Sequence, residues 1–263
     1  MHTVPTHADH AATHLLSDPL TLLLAIVAVI VLGLAKGGFS GLGALATPLL
    51  ALTLPPVTAA AMLLPILLVQ DVVSVWSFRK NWSGLIVAWM LPGAALGVGL
   101  AALFAASVPE ARVLLLLGAI TAAFGFYRLW AERGGRIDAP SSSPGWVGTL
   151  FGVACGFTSQ IAHAGGPPFQ MWVTPRKLPH QTFVGTSSIT FAAINWMKVP
   201  SYLLLGSMNR EELVAAALLI PLAIASTWAG VWLIRRIDGA KFYKLIYVLM
   251  VAFGLRLVWE GLA

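Results

Sequence analysis

Charged residues are scarce in this chain of 263 residues: only 10% are Asp, Glu, Lys or Arg, whereas 58% are hydrophobic. A soluble domain usually carries about 25% charged residues. The low charge and the mean hydropathy of +0.85 exclude a soluble globular protein and predict an integral membrane protein embedded in a lipid bilayer.

Cysteine is also nearly absent, and the first 18 residues lack lysine and arginine. The single cysteine, Cys155, excludes an intrachain disulfide and cannot build a cysteine-based metal site alone. Without a basic region at its start, the segment 1–18 is not expected to be a signal peptide. Spaced histidines can hold a metal, but we prefer to interpret the segment as a polar tail. Its histidines are His2, His7, His10 and His14.

The excess of 16 Lys and Arg over 10 Asp and Glu predicts the membrane orientation, because basic loops remain cytoplasmic. If the N-terminus lies outside, the outer loops keep only Arg112 and Arg210. The inner loops then contain the basic clusters at 79–80, 133–136, 176–177 and 235–241. We therefore expect a multi-pass membrane protein with both termini on the outer side of the membrane, which is the periplasmic side in a bacterium. No aromatic and basic motif indicates nucleic-acid binding.

Ten apolar segments follow one another between residues 20 and 262. A spanning helix needs about 20 residues, but the segments 41–54 and 165–175 are short and interrupted by glycine and proline. These two are predicted to be half-helices or re-entrant segments, which leaves about eight full spans. The expected fold class is all-α.

Two glycine-rich stretches match each other at a fixed spacing. Residues 33–48 align without a gap on residues 152–167, 119 positions later, and a shift of 129 aligns 123–125 with 252–254. The conserved order indicates a duplicated unit. We expect repeat 1 at 19–130, a cytoplasmic linker at 131–145 and repeat 2 at 146–263. An odd number of segments in each half makes the two repeats inverted relative to each other.

Each glycine-rich stretch interrupts a helix. Glycine lets the backbone leave helical geometry, and unwound backbone at membrane depth is tolerated only inside protein or beside a cavity. A half-helix that starts after the glycines presents free N–H groups and binds anions. The pattern predicts an anion site near the bilayer centre without a metal or other cofactor. The alternative is that the glycines only allow close helix packing.

The candidate substrate contacts belong to the two breaks and to the helix after the second break. They are Gly37, Gly38, Ser40, Gly41, Gly43, Ser159, Gln160, His163, Gly165, Gly166, Thr186, Ser187, Asn195 and Lys198.

Ionisable groups inside a span are costly and indicate function by default. Lys36, Asp71 and His163 are therefore candidates for proton or ion coupling. Asp71 and Asn195 stand 124 residues apart, at matching positions of the two halves. A structural ion pair of Asp71 with Lys36 or Lys198 is the alternative interpretation, and His163 could equally be a packed histidine.

An intramembrane serine protease is the alternative from the enzyme class. Gly38-Phe-Ser-Gly41 fits the GxSG pattern of rhomboid proteases, and Ala162-His163-Ala-Gly-Gly166 fits their AHxxG pattern. A serine activated by a histidine is sound chemistry. However, only one apolar segment precedes Ser40, and the two motifs fall in the two copies of one repeat. Both facts disfavour a protease.

The stretches Gly33–Pro48, Gly152–Pro168 and Gly185-Thr-Ser-Ser188, followed by Asn195 and Lys198, resemble the sulfite exporter TauE/SafE family in order and spacing. The resemblance covers nearly the whole chain. It implies a two-repeat permease of the bacterial inner membrane that exports sulfite or moves sulfonates or other small organic anions. His163 departs from the family, which more often has small residues there. The residues to which the resemblance assigns roles are Ser40, Ser159, Gly165, Gly166, Pro167, Thr186, Ser187, Asn195, Lys198 and the glycines of the first break.

We therefore expect a secondary transporter, not an enzyme, that moves a small sulfur-containing anion by alternating access around the two broken helices. Export is the preferred direction. The alternatives are a permease that takes another small anion or sulfur species inward, the protease, and a membrane subunit without a substrate of its own. The expected partners are the anion and the lipid bilayer. A homodimer is a further possibility that the sequence does not decide.

Overall fold

The computed structural model describes residues 18–38, 41–135, 140–204, 208, 210–233 and 240–263. Ser40 and the histidines of the N-terminal segment lie outside these residues. Every regular element in the described ranges is a helix, which confirms the all-α prediction. The α-helices are α1 (Pro19–Lys36), α2 (Ala46–Leu50), α3 (Pro56–Phe78), α4 (Gly84–Ser107), α5 (Glu110–Glu132), α6 (Gly145–Ala162), α7 (Gly166–Val173), α8 (His180–Leu204), α9 (Arg210–Leu233) and α10 (Ala240–Leu262). Short 3-10 helices precede α2 (Leu42–Leu45) and follow α7 (Thr174–Arg176).

Six of the described helices are long and apolar enough to cross a membrane: α1, α3, α4, α5, α9 and α10. Helices α6 and α8 reach a comparable length, with 18 and 25 residues, and carry most of the polar residues of the second half's candidate site. Together they make eight long helices, the number that the sequence indicates. Helix α1 begins where Asp18 accepts a hydrogen bond from the backbone N–H of Thr21 at 2.8 Å and Pro19 occupies the first turn.

Both short helices fold back on the long helix that precedes them. After α1 the chain reverses at Gly38 and Gly41, whose φ angles of 129° and 94° favour glycine. The 3-10 helix then returns along α1, so that a Cβ on Gly43 would lie 3.5 Å from Ala35. After α6 the chain reverses at His163, and α7 returns so that its Trp172 contacts Gly148 near the start of α6. The two predicted re-entrant segments are therefore helical hairpins, here named the first hairpin (19–50) and the second hairpin (145–173).

The long helices pack mainly against helices of the other half of the chain. Helix α4 packs along α6, α1 along α9, and α5 along α10, while α3 lies against α8 and α9. When α1 to α5 are matched in order with α6 to α10, the α1–α9 pair corresponds to the α6–α4 pair. The α5–α10 and α3–α8 pairs each join a helix to its own counterpart.

Glycines bring these helices into backbone contact. A Cβ on Gly37 would lie 2.3 Å from the carbonyl carbon of Gly230, and one on Gly156 would lie 2.1 Å from the carbonyl oxygen of Ala94. Real Cβ atoms do not approach so closely, so larger residues would separate the helices. Gly37, proposed from the sequence as a substrate contact, faces α9 instead. The packing interpretation applies to this glycine, whereas Gly38 and Gly41 make the turn.

Candidate functional site

The tips of the two hairpins meet. A Cβ on Gly166, the first residue of α7, would lie 3.7 Å from the Cα atom of Gly41. A cavity of about 690 Å³, counting the open space at its mouth, lies between the tips and helices α3 and α8. Its lining residues are Leu32, Ala35, Lys36, Gly41, Gly43, Ala44, Leu67, Ser159, His163, Gly166, Phe169, Gln170, Ser187, Ser188, Phe191 and Asn195.

The structure brings many of the candidate substrate contacts to this cavity. Lys36, a coupling candidate, lines it as well. The candidate contacts among the lining residues are Gly41, Gly43, Ser159, His163, Gly166, Ser187 and Asn195.

Other candidates lie away from the cavity. The Gln160 amide donates to the Ser201 hydroxyl at 2.9 Å, and the Thr186 hydroxyl accepts from the backbone N–H of Ser83 at 2.9 Å. The carbonyl of Gly165 accepts a hydrogen bond from the Cys155 thiol at 3.1 Å, inside the second hairpin. These residues stabilise the surroundings of the cavity rather than its surface.

The second hairpin offers few backbone amides to a ligand. Pro167 and Pro168 open α7 and have no N–H group. The first turn of α7 therefore offers only the amides of Gly165 and Gly166 to a ligand. On the second hairpin, side-chain donors must supply the remaining hydrogen bonds to a ligand.

Asp71 is the centre of a buried ionic network. One carboxylate oxygen accepts a hydrogen bond from the Lys36 ammonium, and the other accepts from the Asn195 amide at 2.6 Å. Asp71 is buried, and Lys36 extends toward the cavity with its ammonium 5.6 Å from the ring centre of Phe191. Asp71 and Lys36 thus form a salt bridge in which each balances the charge of the other. The ion pair that the sequence left as an alternative is present.

Lys198 lies directly behind the cavity wall and is fully buried. Its ammonium donates to the carbonyl and the hydroxyl oxygen of Ser159, both at 3.3 Å, and contacts Nδ1 of His163 at 2.6 Å. These three acceptors match the three hydrogens of an ammonium group. In the described part of the chain, no carboxylate forms a salt bridge with Lys198. Its hydrogen-bond partners in this part of the chain, Ser159 and His163, carry no formal charge.

His163 is held between Lys198 and helix α3. Its Nε2 lies 2.9 Å from the carbonyl oxygen of Ala60, which can only accept, so Nε2 carries a proton. Nδ1 is then assigned as the acceptor for Lys198, and the imidazole is neutral. Because both ring nitrogens are engaged, His163 is not available as a base for a serine nucleophile. A serine protease needs such a base, so this geometry argues against the protease alternative.

Sequence reasoning missed the apolar wall of the cavity and one polar residue in it. Phe169 and Phe191 face each other with ring centres 5.4 Å apart. Gln170 lies beside them on α7 and accepts a hydrogen bond from Arg128 at 2.9 Å. A glutamine in the middle of a short apolar helix was the available signal, because an uncharged amide there needs a specific partner.

Comparison with known proteins identifies the family of the chain. A family model described as "Sulfite exporter TauE/SafE" matches residues 24–257, which include both hairpin tips and most of every long helix. Neither the curated proteins nor the solved structures gave a significant match to the chain. The matched region covers nearly the whole chain, and the family consists of transporters rather than enzymes. The chain therefore belongs to the TauE/SafE sulfite exporter family of membrane proteins.

Proposed function

We propose that this protein exports small sulfur-containing anions, such as sulfite or short sulfonates, through the cavity between the hairpin tips. The observation that carries the proposal is the buried ammonium of Lys198, which touches two lining residues, Ser159 and His163, but forms no salt bridge in the described residues. A buried charge without a counter-charge is costly. A monoanion in the cavity would balance it.

The charges around the cavity leave room for one anion. Lys36 and Asp71 cancel each other. When an anion is bound, Lys198 is protonated beside the neutral His163, and this pair carries a single positive charge. The cluster therefore carries one net positive charge, in a place where protein shields it from water and an anion gains more from it than at the surface.

The cavity wall fits a substrate with a polar and an apolar part. The hydroxyl group of Ser159 accepts from Lys198 and can donate its own proton to an anionic oxygen, and such charge-assisted hydrogen bonds are the strong ones. The rings of Phe169 and Phe191 line the same cavity and suit a short carbon chain. Sulfite would use the polar side alone, and a sulfonate would use both.

We also propose that repeats 19–130 and 146–263 are related by a pseudo-twofold axis and are inverted in the inner membrane, with periplasmic termini. The matched helix pairs α1–α9 and α6–α4 support this relationship. The two hairpins then approach the cavity from opposite sides of the membrane. Rocking one half against the other would open the cavity alternately to the two sides.

For coupling, His163 is the preferred candidate of the three. Lys36 and Asp71 bind each other, whereas Nδ1 of His163 and the ammonium of Lys198 lie 2.6 Å apart at the cavity wall. A proton can pass between these two atoms as the anion enters or leaves. If His163 then released this proton to one side of the membrane and Lys198 regained one from the other side, anion movement would be linked to a proton gradient.

Flux measurements in proteoliposomes test the proposal. The purified protein should give saturable flux of radiolabelled sulfite or methanesulfonate, and Lys198→Met should reduce it more than tenfold. Lys80→Met is the matched control, because Lys80 is exposed at the end of α3 and should leave flux unchanged. Wild-type protein without flux of either anion would contradict the proposal. Vesicles in which the periplasmic face of the protein points outward test the direction. Flux only into these vesicles would favour the inward permease.

A further inference from the structure

Gln170 has an unusual position in the cavity wall. It lies in the middle of α7, is 8% exposed, and lines the cavity between the hairpin tips. A Cβ on Gly41 would lie 3.5 Å from its Nε2, and one on Gly166 would lie 4.0 Å from it. The amide nitrogen of Gln170 is therefore placed where the two hairpins meet.

The orientation of this amide is determined by Arg128. The guanidinium donates to Oε1 of Gln170 at 2.9 Å, and a guanidinium group has no acceptor. The oxygen of Gln170 must therefore face Arg128, and its NH₂ group must face away. Within the described residues, Nε2 of Gln170 has no hydrogen-bond partner.

Arg128 is itself fixed by a third residue. Its other terminal nitrogen donates to the hydroxyl of Tyr247 at 2.8 Å, and its guanidinium carbon lies 4.9 Å from the centre of the Tyr247 ring. Arg128 belongs to α5 and Tyr247 to α10, which pack along each other. The α5–α10 pair thus holds the Gln170 amide in one orientation from outside the second hairpin.

A buried donor without a partner is costly and needs a reason, and a ligand-binding role is a common one. The NH₂ group can only donate, so its partner must present an acceptor atom. The substrate proposed above is rich in acceptor oxygens. The amide also lies in the same cavity as Ser159 and His163, which contact the buried ammonium of Lys198.

We propose that Gln170 contacts the transported oxyanion through its NH₂ group, and that Arg128 and Tyr247 are positioning residues that hold this group toward the cavity. This inference rests on the proposed function, because it names a further contact of the same site. It assigns to the α5–α10 pair a role in substrate selection in addition to helix packing.

Two substitutions of Gln170 test the contact with radiolabelled sulfite in proteoliposomes of the full chain. Gln170→Met keeps the length but removes the donor, and the half-saturating sulfite concentration should rise about tenfold or more. Gln170→Glu keeps an acceptor for Arg128 but places a carboxylate oxygen in the cavity, so sulfite flux should be lost. Gln181→Met, at an exposed glutamine at the start of α8, is the matched control and should behave as wild type. A thermal unfolding temperature of Gln170→Glu near that of wild type excludes misfolding as the cause.

A double-mutant cycle tests the positioning role. Tyr247→Phe removes only the hydroxyl, and it should raise the half-saturating concentration severalfold while the maximal rate stays within about twofold. In the Gln170→Met background, Tyr247→Phe should have no further effect, because its action passes through Gln170. Independent, additive effects of the two substitutions would overturn the positioning role.

The experiment separates this inference from the proposed function. Wild-type protein that neither transports nor is thermally stabilised by sulfite, methanesulfonate or thiosulfate would overturn both. Wild-type flux that Gln170→Met leaves unchanged would overturn the role of Gln170 alone.

Discussion

The side chain of Asn195 donates a hydrogen bond of 2.6 Å to Asp71, and these two residues stand 124 positions apart at matching places in the two halves. They meet where α3 and α8 contact each other. The pair is asymmetric for a physical reason. Two aspartates so close would repel each other, and two asparagines would leave Lys36 without a counter-charge.

Substituting Asn195 by Asp is expected to impair anion transport. The new carboxylate would lie beside Asp71 at the cavity wall and would add a negative charge where the substrate binds. The half-saturating concentration of sulfite should rise at least about tenfold. Asn81→Asp serves as the control, since Asn81 is exposed and bonds only Gln181 through its side chain in the described structure. Equal flux in Asn195→Asp and wild type would show that this position does not face the substrate.

Variants of the buried ion pair should distinguish its contribution to stability from its contribution to transport. Asp71→Leu leaves the Lys36 ammonium without its partner and should lower the free energy of unfolding by about 3–5 kcal/mol. The double variant Lys36→Met, Asp71→Leu removes both charges and should regain most of that loss. Thermal unfolding in detergent measures both effects. Both variants also leave the Asn195 amide at the cavity wall without its acceptor, so sulfite flux should be low in both. Normal flux in the double variant would show that transport does not need Lys36 or Asp71.

Two glycines of α4 should respond differently to the same substitution. A Cβ on Gly97 would lie 2.1 Å from the carbonyl oxygen of Val153 on α6, whereas one on Gly99 would meet nothing within 4 Å. Gly97→Ala should therefore destabilise the protein by about 1–3 kcal/mol. Gly99→Ala should be neutral or stabilising by up to about 1 kcal/mol, because alanine is the better helix former. Equal unfolding temperatures for both variants would contradict the backbone contact between α4 and α6.

Cysteine labelling in intact cells tests the proposed orientation. The native Cys155 is fully buried, so introduced cysteines can be labelled in its presence. A membrane-impermeant maleimide should label Arg112→Cys at the start of α5 but not Lys80→Cys after α3; both positions are exposed. The reverse pattern would place the termini in the cytoplasm and overturn the orientation derived from the basic loops.

Sequence alone predicts the membrane class, the order of ten helical segments and the positions of both helix breaks. These features follow from local properties: the sum of side-chain hydropathies over each segment, and the glycines and prolines that interrupt it. The family resemblance also rested on local motifs, and the match over residues 24–257 confirms it.

The contacts of individual residues, by contrast, emerge from the folded chain. Gly37 packs on α9 although the sequence placed it in the site, and Thr186 binds the backbone of Ser83. The orientation of the Gln170 amide depends on Arg128, which is 42 positions away in the sequence. Such contacts depend on which helices pack together across the two halves, and a local sequence pattern does not predict that pairing. Hydropathy therefore predicts which segments enter the membrane, and packing alone selects the side chains that surround the cavity.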